Sequence, residues 1–143
     1  MNFEAISRFR FEPIEKSARY VAEVIRISGK HVTMALPLYE RMGHPEFLSF
    51  GYDAENRAIG VLVTDRKDPN ATPCVKDKKT GTVRMNNSAF IANKLYELMK
   101  ADQDKQAIVL RCPVKTNEYH VFELRNADIV KKCGVKKRGS DEL

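Results

Sequence analysis

Val24-Ile25-Arg26-Ile27-Ser28-Gly29-Lys30-His31-Val32-Thr33-Met34-Ala35-Leu36-Pro37-Leu38-Tyr39-Glu40-Arg41-Met42-Gly43 changes its period halfway along. Val24-Ile25-Arg26-Ile27 is rich in β-branched residues and reads as a strand. Ser28-Gly29 is a turn signal, and Val32-Thr33-Met34 resumes an extended run. From Leu36 the spacing becomes helical, with Leu38 and Met42 four apart. Pro37 suits a first helical turn, where a missing N–H costs nothing. Gly43 stops the helix. The segment predicts a strand, a turn, a second strand and a brief helix.

Downstream, Phe47, Leu48, Phe50 and Tyr52 mark a strand, Asp53–Arg57 a hairpin turn, and Ala58–Val63 its partner. Residues 64–80 hold Pro69, Pro73 and dense charge of both signs, including Lys76, Lys78 and Lys79. Such a composition buries little apolar surface, so this stretch is expected to be an exposed, mobile linker. After Gly81 the order recurs. Thr82-Val83-Arg84-Met85 is extended, and Asn86-Asn87-Ser88 supplies cap residues. Ala89 to Lys100 is an amphipathic helix with Phe90, Ile91, Leu95, Leu98 and Met99 on one face. Ala107–Leu110 and Tyr119–Leu124 are strands around a turn at Pro113–Glu118. Upstream, Ile14, Ala18, Val21 and Ala22 could line one side of a helix, while Phe3, Ile6, Phe9 and Phe11 look extended.

The expected fold class is therefore α+β: two strand–helix–hairpin repeats forming a small β-barrel-like core with short helices, plus an N-terminal segment. One such unit leaves half its apolar face exposed. Two interleaved units can shield each other and remove strand edges. The expected organisation is a covering segment at 1–23, a two-repeat domain at 24–128 and a basic tail at 129–143. Within the domain lie a first copy at 24–63, the linker at 64–80 and a second copy at 81–124.

The first copy resembles the AbrB-type swapped-hairpin (SpoVT-AbrB-like) family of transition-state regulators. The likeness lies in residues 24–43, with Met42-Gly43 standing where that family has a Leu-Gly-type helix end. Residues 81–124 match more weakly, and two units in one chain are similar to the MraZ arrangement of this fold. The resemblance implies DNA binding by basic residues beside the first strand and helix. Arg26, Lys30, His31 and Arg41 stand there in the first copy, and Arg84 and Lys94 are the nearest basic residues in the second. The sequence departs from the pattern at His31, where arginine is usual, and at Glu40, where a second basic residue is usual.

The 143 residues carry a net charge of +6. The stretch Lys131-Lys132-Cys133-Gly134-Val135-Lys136-Lys137-Arg138 holds five positive charges and no negative one, leaving +1 for the remainder. Lys76, Lys78, Lys79, Lys131, Lys132, Lys136, Lys137 and Arg138 join the candidate phosphate contacts, because exposed cations neutralise phosphates and release counterions. Cys74, Cys112 and Cys133 form no CxxC pair and fit a reducing cytoplasm; Cys112 lies in an apolar run and reads as core. His31, His44 and His120 lie at no metal-ligand spacing, and His120 reads as a packed residue. No P-loop, GxGxxG, GxSxG or HExxH motif occurs, so no enzyme, metal or cofactor is expected. No apolar run approaches membrane-spanning length. The leading expectation is a cytoplasmic DNA-binding protein, monomeric or homodimeric. The alternative is a non-catalytic binding or inhibitor protein of phage or mobile-element accessory type. It would capture a protein partner or a small anionic ligand such as a nucleotide.

Overall fold

The computed structural model describes residues 10–12, 14 and 23–132. Strands β1 (Ile25–Ser28) and β2 (His31–Ala35) form a hairpin in which Gly29 adopts φ +63°. Only glycine takes that conformation without strain, so the turn depends on it. Ile25, Ile27, Val32 and Met34 alternate along the two strands, and all four are fully buried. β2 runs directly into helix α1 (Leu36–Arg41), with Pro37 in its first turn. The helix ends as expected. Gly43 and His44 both take positive φ, and their N–H groups bond Glu40 O and Tyr39 O at 3.1 Å.

β3 (Phe47–Asp53) and β4 (Ala58–Thr64) pair over seven residues, from Phe47↔Thr64 to Asp53↔Ala58. The Asp53 carboxylate ties their turn by accepting from Asn56 N at 3.0 Å and Asn56 Nδ2 at 2.8 Å. β5 (Thr72–Asp77) and β6 (Thr82–Met85) form the next hairpin. Helix α2 (Ala89–Met99) buries Ile91, Ala92, Leu95 and Tyr96. After it come β7 (Gln106–Leu110), β8 (Val114–Thr116), β9 (Tyr119–Glu123), a 3-10 turn at Leu124–Asn126 and β10 (Asp128–Lys131).

These strands make one antiparallel sheet in the order β10-β7-β1-β2-β6-β5-β3-β4-β9-β8. The expected β-barrel-like core is thus not formed. The sheet is open, ending at β10 and β8, and only two α-helices occur among the described residues. The physical reason lies in which strands pair. The outer strand of each hairpin takes the strand that follows the other half's helix, β7 on β1 and β3 on β5. Each exchange adds a strand at one side, so the sheet grows laterally instead of closing. Val32 faces Met85 and Met34 faces Val83, so the order reads alike outward from β2 and β6 as far as β7 and β3.

Two expected boundaries also move. The stretch expected as linker contains β5, which pairs with β6 over four residues and with β3 over two. Its charges fall on both sides of Thr72-Pro73-Cys74-Val75, which carries none and enters the sheet, with Lys76 and Asp77 completing the strand before the turn. The boundary expected after Asp128 falls inside β10, because Ile129 and Val130 pair with Ile108 and Ala107. The covering segment expected at 1–23 lies mostly outside the described residues. The core is one cluster fed from both sides of the β5 junction. Ile25, Ile27, Met34 and Leu110 meet Leu48, Ile59, Val61 and Phe122. Each such side chain contributes about 1.5–3 kcal/mol on burial, before entropy costs.

Candidate nucleic-acid interface

The β1–β2 turn is fixed from below by α2. The Tyr96 hydroxyl accepts from Gly29 N at 3.2 Å and donates to the Gln106 carbonyl at 2.5 Å. Gln103 Nε2 donates to Gly29 O at 2.9 Å, and Lys132 Nζ donates to Gln103 O at 2.6 Å. The turn is therefore held by the helix, the loop after it and the residue leaving β10. This clamp presents Lys30 and His31 to solvent, both exposed.

Beside them, β6 ends and α2 begins. Arg84 is exposed and its Nε donates to Asn86 Oδ1 at 3.3 Å. Asn87 takes φ +55°, which turns the chain sharply into the helix. Ser88 is buried, but its hydroxyl donates to Met85 O at 2.8 Å rather than capping the first turn. The result is an open concavity of about 330 Å³ lined by Lys30, His31, Arg84, Asn86, Asn87, Ser88 and Ala89. Two cationic side chains face it across the start of an 11-residue helix. The N–H groups of a first turn lack intrahelical acceptors, and the helix dipole adds positive potential there. Anions are favoured in such a place.

The thirteen expected contacts divide in space. Lys30, His31 and Arg84 meet in the concavity. Arg26 shares their sheet face, because Arg26 pairs with Thr33 and Thr33 with Arg84 in one cross-strand row. That row places the two arginines two strands apart, about 10 Å. Lys132 abuts the turn, its Nζ 3.4 Å from where a Cβ on Gly29 would lie. Lys131 ends β10 nearby, since β10 leaves the sheet on the side where β1 turns into β2. Lys76, Lys78 and Lys79 gather at the β5–β6 turn, at the opposite end of the same strands. Arg41 is ion-paired with Glu23 and stands on α1, away from the concavity. Lys136, Lys137 and Arg138 lie outside the described residues.

Several readings of single residues change. Asn86 and Asn87 line the cavity, a role not legible in their reading as cap residues. Cys112, expected in the core, is exposed at φ +58°. Cys74 is half-buried, and burial pushes its thiol up to about 11, which leaves it protonated and unreactive. His120 is packed as expected, 3% exposed, with Nδ1 unpartnered among the described residues. Desolvation pushes its imidazole below the ordinary range, and the cations Lys115 and Arg41 push the same way. No group of three or more His, Cys, Asp or Glu residues is placed to hold a metal among the described residues. No helix there is long and apolar enough to cross a membrane. No family model matches the chain, and no curated protein or solved structure matches it.

Proposed function

We propose that this protein binds nucleic acid, with duplex DNA docking on the end of the sheet where the β1–β2 turn meets the start of α2. The observation that carries the reading is the convergence of Lys30, His31 and Arg84, from segments more than fifty residues apart, on one open concavity. In this reading Lys30 and Arg84 neutralise phosphates, and the first-turn N–H groups of α2 orient one of them. Lys132 and Arg26 extend the footprint along the same end and face. Binding without catalysis is the proposed role.

Fluorescence anisotropy with a mixed-sequence duplex at about 50 mM salt tests it. The wild type should bind, with affinity falling steeply as salt rises. Replacing Lys30 and Arg84 together by Glu should weaken binding at least about tenfold and flatten the salt slope by about two. A wild type with no detectable binding would end the proposal. So would a Lys30→Glu/Arg84→Glu protein that binds normally while Lys136→Glu/Lys137→Glu/Arg138→Glu abolishes the affinity.

A further inference from the structure

A second concavity lies apart from the basic one, between α2 and the β3–β4 hairpin. It measures about 310 Å³, a size at the lower end for small-ligand sites, which run from roughly 300 to 1,000 Å³. Phe50, Tyr52, Ile59, Phe90 and Leu95 give it apolar walls, and Lys94 is the only charged residue among the described lining groups. Tyr52 and Phe90 stand on its two sides, 53% and 54% exposed. Phe90 belongs by spacing to the apolar face of α2, and yet the core does not cover it. Its exposed ring forms one wall of the recess.

The charge at the rim is loosely held. Lys94 Nζ lies 4.9 Å from the centroid of the Tyr52 ring and 3.3 Å from Glu97 Oε2. The Glu97 side chain is 71% exposed. An exposed pair three residues apart on a helix contributes little and is screened by salt. An incoming carboxylate can replace Glu97 at small cost, while the ring continues to favour the ammonium from its other side. Body and head of a ligand are thus both provided for, by apolar walls and by one exchangeable cation.

We propose that this slot binds a small amphipathic carboxylate, its apolar body between Phe90 and Tyr52 and its head on Lys94. A protein interface needs roughly 1,200–2,000 Å² of buried surface, whereas this recess suits a single chain or ring. Decanoate and decanol, titrated into the full-length protein by amide-resolved NMR, separate the two halves of the claim. Decanoate should saturate one site and shift amides within residues 50–59 and 90–95, and it should bind about tenfold more tightly than decanol. Lys94→Gln should erase that preference while leaving decanol binding intact. Phe90→Ala, at an exposed position that the fold tolerates, should weaken both ligands. Non-saturable binding, shifts centred elsewhere, or a preference unchanged in Lys94→Gln would overturn the proposal. A concentration-dependent dimer dispersed by Phe90→Asp would assign the recess to a second copy and overturn it equally. The slot shares no cation with the basic concavity, so either site can fail its test without the other.

Discussion

The two sides of the β5 junction are built to different standards. In the six-stranded part, β7 is buried on both faces, with Ala107, Ile108, Val109 and Leu110 all covered. Its neighbour β1, and β2 beyond it, carry fully buried alternating side chains under α2. In the four-stranded part, residues 51–57 of the long hairpin are all exposed, and so is every residue of the edge strand β8. Tyr52, Val63, Val114 and Tyr119 leave large apolar surface open there. The lesson is that apolar content alone does not fix order: coverage on both faces does. Cooperative units of unequal stability are the expected result. The proposed phosphate contacts stand at one end of the better-covered part, and the proposed ligand slot lies where coverage stops.

The largest effect breaks this comparison directly. Ile27 and Ile59 come from opposite sides of the junction, are 0% and 1% exposed, and belong to one core cluster. Truncating either to Ala should cost about 2–5 kcal/mol in urea unfolding. Native-state hydrogen exchange should nonetheless protect β1, β2 and β7 most, and β8 and the outer β3–β4 hairpin least. Equal protection across the sheet would mean that a single cooperative unit spans the junction, and the contrast drawn above would fail.

The next effect sharpens it with pH. The buried titratable imidazole, His120, lies in the four-stranded part, flanked by Lys115, Arg41 and Glu23. Its folded value lies below the ordinary 6.5. Unfolded chains therefore bind the proton first, and stability rises with pH through that window. The contribution is complete above 6.5 and is lost as pH falls below it toward the folded value. The slope for one proton cannot exceed about 1.4 kcal/mol per pH unit. Urea midpoints at pH 7 and pH 5 should differ more in the wild type than in His120→Leu. An identical difference in both proteins would remove His120 from the account.

Much of this was legible in the sequence. The turn at Ser28-Gly29, the helix stop at Gly43 and the amphipathic run after Ser88 are local signals, and local chemistry fixes them. The absence of a barrel was not legible, because closure is a question of which strands pair, and nothing in Thr72-Pro73-Cys74-Val75 announces a strand lying between β6 and β3. Charge at Lys76, Asp77, Lys78 and Lys79 masked it, since a hairpin tip and a linker have the same composition. Among the basic residues, type was visible and place was not. Lys30, His31 and Arg84 meet only because β2 pairs with β6, while Lys78 and Lys79 are carried by the same pairing to the far end.

The smallest effect tests the comparison at two glycines. Gly29, in the six-stranded part, has φ +63°, and a Cβ there would lie 3.4 Å from Lys132 Nζ. Its N–H and carbonyl are both bonded by side chains, so the turn has little room to relax. Gly29→Ala should cost about 1 kcal/mol, from the left-handed backbone alone. A Cβ on Gly60, in the four-stranded part, would meet Tyr119 Cδ1 at 3.0 Å, a tighter approach. Contact distance by itself would rank Gly60 as the worse position. But the backbone at Gly60 does not need glycine, and Tyr119 is 44% exposed, so its ring can swing toward solvent. Gly60→Ala should therefore cost less than about 0.5 kcal/mol, within the range of ordinary surface substitutions. If thermal melts reversed that order, the four-stranded part would be the more rigid one, because a yielding ring is what makes the closer contact the cheaper one.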